Sequence, residues 1–143
     1  PDLTPFTGPI LVTAAYFVLW YVLLFRQTRT KYRLQAEYAA RNASFDRYFG
    51  QDRQMLAVDR AVANTQEQMV PFLFVLWLHA AVVSVTVATA LGVAYVVCRG
   101  LYAVVGGVEL GKTQSKRVFF ATGPAYLIVY YLLGSTVWGA LVG

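Results

Sequence analysis

Charge is scarce in this chain of 143 residues, since only 13% are Asp, Glu, Lys or Arg, about half the share of an ordinary soluble domain. Residues 6–25, 69–98 and 118–143 contain no formal charge at all. Cysteine is nearly absent: Cys98 stands alone, which excludes an internal disulfide framework and a thiolate metal cluster. His79 is the single histidine, so it has no second imidazole with which to build a metal site, and no metal is expected. The low charge and apolar bulk together exclude a disordered chain, which needs the opposite composition.

What is present is apolar: 58% hydrophobic and 15% aromatic residues, more than a single aqueous core of this size can bury. The expected solvent is lipid. The formal charge is +5, from 12 Lys and Arg against 7 Asp and Glu. The basic residues fall in two windows, Arg26 to Arg60 and Arg99 to Arg117, separated by one apolar block and flanked by two others. A patch for nucleic acid phosphates has no reason to be divided by membrane-grade segments, so no nucleic acid partner is expected.

A spanning helix needs about 20 mostly apolar residues. The uncharged stretches predict helix 1 at 6–26 and helix 4 at 116–142. Residues 69–98 as one helix would measure about 45 Å, too long for an upright span, so two helices are expected, helix 2 at 55–83 and helix 3 at 87–105. A turn at 84–86 separates them, and one long tilted helix is the rival reading. The connections are 27–54 and 106–115. The whole is an all-α, multi-pass integral membrane protein with four transmembrane helices in a bundle. Four spans put both basic connections on one side, cytoplasmic or its organellar equivalent by the positive-inside rule, and both termini on the other. Arg26, Arg29, Lys31 and Arg33 either form a solvated face or meet anionic lipid by snorkelling. Asn42, Ala43 and Ser44 match a glycosylation sequon that this topology leaves unmodified.

The polar residues nearest the apolar blocks are the candidate site. Arg60, Asn64, Glu67 and Pro71 recur at i, i+4, i+7 and i+11, one stripe of a helix at ~3.6 residues per turn. Arg99 and Tyr102 form an i, i+3 pair at the end of helix 3, and an antiparallel hairpin returns them to the depth of Arg60 and Glu67. Ionisable groups so placed face a bundle interior or a wet cavity. They either brace helices or bind an anion, whose carboxylates suit the planar guanidinium.

The order of spans, the basic first connection, Arg60-x-x-x-Asn64-x-x-Glu67 followed by Val70, Pro71 and Phe72, and Arg99-x-x-Tyr102 resemble the MAPEG family, membrane-associated proteins in eicosanoid and glutathione metabolism. The segment Ser115, Lys116, Arg117 is similar to the members nearest the type-three microsomal glutathione transferases. The resemblance implies a homotrimer that binds glutathione between neighbouring subunits, through Arg60, Asn64, Glu67, Gln68, Arg99 and Tyr102. Gln68 stands where several members have Tyr, and Gly106 where many have another. Arg117, with Lys116 as the alternate, is the implied catalytic group, because a guanidinium stabilises a thiolate whose free pKa is about 8.5.

Other motifs have blander readings. Gly106 to Thr113 fits the phosphate-loop pattern G-x-x-x-x-G-K-T, but that loop works between a strand and a helix of an α/β sheet, and no Asp follows Asp59. A glycine-ended helix and a basic turn are expected instead. His79 and Cys98 read as packing residues, with lipidation or oxidation of Cys98 the alternative. Pro71 and Pro124 read as kinks, and Gly134, Ser135, Gly139 and Gly143 as small residues for close helix packing.

The functional expectation is therefore a glutathione-dependent membrane transferase or peroxidase, with glutathione as co-substrate and a lipophilic electrophile or lipid hydroperoxide as substrate. The alternative is a non-catalytic lipid-binding scaffold of the same fold, or an accessory subunit of a larger membrane complex.

Overall fold

The computed structural model describes residues 4–105 and 116–142, with the side chains of 104, 105, 116–119 and 121 set aside. The expected connection 106–115, including Gly106 and the phosphate-loop pattern, lies outside the described residues. Among the described residues there are helices and no strand.

A 3-10 turn at Thr4–Phe6 leads into α1, Thr7–Ala40. Pro9 falls in the first turn, where its missing N–H would have had no intrahelical partner. At ~1.5 Å per residue α1 is about 51 Å long, well beyond the ~30 Å hydrocarbon core. The expected end near residue 26 is corrected here, because the span and the helix end in different places. Residues 27–40 are charged but rich in good helix formers, and Leu34 on their inner face is buried with Met55 and Val58. Asn42 then takes φ of 53°, a left-handed value that Asn tolerates. Its N–H donates to the Ala39 carbonyl at 3.0 Å, and that of Ala43 to the Tyr38 carbonyl at 3.0 Å, a Schellman-type stop.

The connection that follows is tied at both ends. The Asp46 carboxylate accepts from the backbone N–H groups of Tyr48 and Phe49, each at 2.9 Å. Those bonds, Phe49 first, hold its carboxyl below the usual carboxylate range. Arg47 forms a bidentate pair with Asp59 at 2.8 and 2.9 Å, and Gln27 of α1 donates to the same carboxylate at 2.7 Å. Asp52 caps the next helix, accepting from the N–H groups of Gln54 and Met55.

That helix, α2, is Arg53–Val82, and α3 follows at Val85–Val105. The reversal needs neither Gly nor Pro. The N–H groups of Val83 and Ser84 both reach the His79 carbonyl, and the Ser84 hydroxyl accepts from the Val87 N–H at 3.3 Å as an N-cap. The last helix, α4, is Lys116–Val142 with Pro124 inside it.

In the described packing α1 lies against α2 and α3, while α4 lies against α2 and α3. One aromatic cluster joins three of them: Phe72 of α2 stacks on Tyr95 of α3 at 3.8 Å between ring centroids, and Tyr16 of α1 lies 5.4 Å from Phe72. Closeness between α1 and α3 depends on Gly92, where a Cβ would come within 2.8 Å of the Val12 Cγ1 atom. Three helical segments, Thr4–Ala40, Val85–Ala103 and Thr122–Val142, are long and apolar enough to cross a membrane. Most of their side chains face outward, as for helices whose solvent is lipid. The N-terminal half of α2 is polar, and only its second half, from Met69 on, continues as an apolar run.

Candidate functional site

The site is built where α2, α3 and α4 come together. Arg99, near the end of α3, is 2% exposed. One of its guanidinium nitrogens donates to the backbone carbonyl of Asn64 on α2, and the guanidinium carbon stands 5.2 Å from the Tyr102 ring centroid, a cation–π arrangement. The Asn64 side-chain amide donates to the Tyr102 hydroxyl. Asn64, Gln68, Arg99 and Tyr102 line a cavity of about 140 Å³ together with Thr122 and Tyr126 of α4. Gln68 Nε2 donates to the Tyr126 hydroxyl across it at 3.3 Å.

The electrostatic character of this cavity follows from a charge without a counter-charge. No carboxylate pairs with Arg99 among the described residues, whose ion pairs are Arg33 with Glu37 and Arg47 with Asp59. Its Nε and the Thr122 hydroxyl are buried and lack hydrogen-bond partners among those residues. A buried cation is expensive unless it is paired, and the Asn64 carbonyl and Tyr102 ring offset only part of that. On the α1 side, the Tyr16 hydroxyl donates to the Thr65 carbonyl at 2.7 Å and also interacts with the Arg99 guanidinium.

Four of the six residues expected to bind an anion are thus brought together. Arg60 and Glu67 are not: both are exposed on the outer face of α2 and do not line the cavity. The stripe of Arg60, Glu67 and Pro71 points away from the core because the buried face of α2 runs through Val58, Val62, Thr65 and Phe72. Asn64 sits at the boundary between the two faces. Lys116 opens α4 and Arg117 follows it, but both side chains lie outside the described residues. Thr122 and Tyr126 were not among the expected residues. Their spacing of four within an apolar run was the available signal, since two polar tips one turn apart share a face. Among the described residues no cluster of three or more His, Cys, Asp or Glu could hold a metal ion.

The MAPEG family model matches residues 9–138, from the first turn of α1 to the last turns of α4. Compared with curated proteins, the chain has no match.

Proposed function

The chain belongs to the MAPEG family, and we propose that it is a glutathione-dependent membrane transferase or peroxidase acting on lipophilic electrophiles or lipid hydroperoxides. One observation carries this reading: a buried arginine, Arg99, lines a cavity of hydrogen-bonding side chains and, among the described residues, has an unused Nε donor and no carboxylate partner. Such a group fits a carboxylate of a small anionic peptide, through the fork geometry particular to guanidinium.

The cavity in one chain, about 140 Å³, is smaller than the ~300–1,000 Å³ of ordinary ligand pockets. One chain therefore offers part of a seat. In a homotrimer of four-span subunits, the exposed Arg60 and Glu67 on the outer face of α2 become available to ligand at a subunit boundary. An apolar groove on the same helix, lined by Val70, Phe74 and Trp77 among others, is a natural surface for the neighbour. The basic connections are cytoplasmic in this topology, with both termini opposite.

Glutathione, when bound, supplies a thiol whose ionised form is the nucleophile. Arg99 anchors a carboxylate, Asn64 and Tyr102 hold that guanidinium in place, and Gln68 and Tyr126 present an amide and a hydroxyl to the peptide. Arg117, with Lys116 as alternate, stabilises the thiolate from the start of α4, where the positive end of the helix dipole adds to the effect. The similarity to type-three microsomal members rests on this segment.

A second reading, a non-catalytic lipid-binding scaffold or accessory subunit of a larger membrane complex, is favoured by the hydrogen bond from Gln68 to Tyr126, which bridges the cavity with the chain's own side chains. Turnover separates the two. Purified protein given glutathione with an aryl halide or a lipid hydroperoxide is expected to turn over, and Arg117→Ala to lose most of that rate. No turnover of either substrate supports the scaffold, and equal rates in both proteins remove Arg117 from the chemistry.

A further inference from the structure

The connection between α1 and α2 carries two aromatic rings that the fold leaves uncovered. Tyr48 is 85% and Phe49 90% exposed, the highest values of any large hydrophobic side chain among the described residues. Phe45, in the same connection, is seated: its ring lies 5.4 Å from that of Tyr38 between centroids, beside the buried Leu34, Met55 and Val58. The exposure of Tyr48 and Phe49 is therefore particular to their turn, and two adjacent bare rings mark a surface that meets something apolar.

Their level along the bundle says what that is. The uncharged run of α1 ends at Phe25, itself exposed, and Gln27 follows about 3 Å further along the helix. Gln27 donates to the Asp59 carboxylate at 2.7 Å, and the same carboxylate holds Arg47 through bonds of 2.8 and 2.9 Å. Helix α1 continues to Ala40, about 20 Å beyond Gln27. The connection thus turns back from the end of α1, and Arg47 reaches down to the level where hydrocarbon gives way to headgroups. Tyr48 and Phe49 come next, with backbones no more than about 7 Å from that of Arg47. The turn also suits a layer poor in water: Asp46 accepts from the N–H groups of both residues, so neither donor enters it unpaired. The Arg47 guanidinium carbon lies 5.8 Å from the Tyr48 ring centroid, its charge matched by Asp59.

We propose that Tyr48 and Phe49 are a membrane-surface anchor, seated among the headgroups of the leaflet that α1 leaves at Phe25. Aromatic rings favour that layer, where an apolar body and a polar edge are both accommodated. The partner is the lipid surface rather than a soluble protein, because the chain of bonds from Gln27 through Asp59 to Arg47 ties the turn beside the bilayer. The anchor holds the connection, and with it the polar first half of α2, at a fixed height over the membrane. It is separate from the proposed glutathione seat and does not depend on it.

The test measures depth. Cys98 is the only cysteine, so a Cys98→Ser background accepts a nitroxide label at one chosen position of the full chain. Phe49→Cys is labelled in phosphatidylcholine nanodiscs and compared with Ser44→Cys. Ser44 is exposed and adjoins Phe45, which packs on Tyr38, about 16 Å beyond Gln27. Power saturation reads contact with oxygen, which concentrates in lipid, and with a nickel chelate, which stays in water. The oxygen-to-nickel ratio is expected to be severalfold higher for Phe49→Cys than for Ser44→Cys, and Tyr48→Cys is expected to follow Phe49→Cys. Equal ratios for Phe49→Cys and Ser44→Cys overturn the anchor. A label at Phe49→Cys that neither reagent reaches also overturns it, in favour of a protein surface such as a neighbouring subunit. Unfolding temperatures of the labelled proteins, expected to match that of the Cys98→Ser background, exclude misfolding as the cause.

Discussion

Arg99 donates a hydrogen bond to the backbone carbonyl of Asn64 across 35 residues of sequence, so among the described residues the charged residue of α3 is held by the backbone of α2 rather than by an acid. The Asn64 side chain meanwhile donates to the Tyr102 hydroxyl. Asn64 therefore fixes both Arg99 and the ring beneath it.

This arrangement is expected to show as coupling between Asn64 and Tyr102. Tyr102→Phe keeps the ring under the guanidinium and removes only the hydroxyl, so it is expected to destabilise the fold by about 1 kcal/mol, the usual worth of a neutral hydrogen bond. Asn64→Ala is expected to cost a similar amount, and the double variant less than the sum. Chemical unfolding of the four proteins measures the interaction. Strict additivity would mean that the two groups act independently.

Helix packing gives a second test, at Gly92. A Cβ there would lie 2.8 Å from Val12 Cγ1 and 2.9 Å from Leu76 Cδ1. Gly92→Ala is expected to lower stability by about 1–3 kcal/mol, typical of overpacking, despite the better helix propensity of Ala. Gly134→Ala meets nothing within 4 Å in the chain and is expected to be neutral or slightly stabilising. Thermal unfolding of the two variants compares them directly. A destabilised Gly134→Ala would reveal a neighbouring subunit packed at that position.

Much of this was legible in the charge pattern, and the parts that were not have physical causes. The alternation of basic and uncharged blocks marks where apolar helices begin and end, because charge is excluded from hydrocarbon. It cannot mark where a helix stops once it has left the membrane, which is why α1 runs on to Ala40. The signal for that extension was amphipathic: Leu34 and Tyr38 at i and i+4, with Arg33 and Glu37 paired beside them. In the site, Arg99 and Tyr102 were legible as a polar pair ending an apolar helix. The stripe of Arg60 and Glu67 gave the right helix but not its direction, which is outward in the single chain, since spacing identifies residues that share a face and does not say which way it points. Thr122 and Tyr126 were hidden because a hydroxyl in an apolar run looks the same whether it meets lipid or a partner.

The connection after α1 carries a pH-dependent element. The N–H groups of Phe49 and Tyr48 hold the Asp46 carboxyl below its ordinary value. A depressed folded-state pKa means that the stabilisation is complete above the unfolded carboxylate pKa, about 3.9, and is lost as pH falls through the lower folded value. The Tyr48 and Phe49 amides are therefore expected to stay hydrogen-bonded at the ordinary carboxylate pKa and to lose their bonds only in stronger acid. Their amide chemical shifts, followed by NMR through an acid titration, check this. Asp46→Asn is expected to abolish the transition, and an unchanged titration in that variant would assign it to another group.

The central claim, that buried Arg99, which no acid pairs with among the described residues, seats an anionic peptide, is tested most directly by calorimetric titration of glutathione into the purified wild-type protein and into Arg99→Gln. The account predicts saturable heat in the wild type and an affinity weakened roughly thirtyfold or more in the variant, as for truncation of one partner of a buried, hydrogen-bonded charge pair. Absence of saturable heat in a folded wild-type protein at millimolar glutathione, or equal binding by the two proteins, would contradict it.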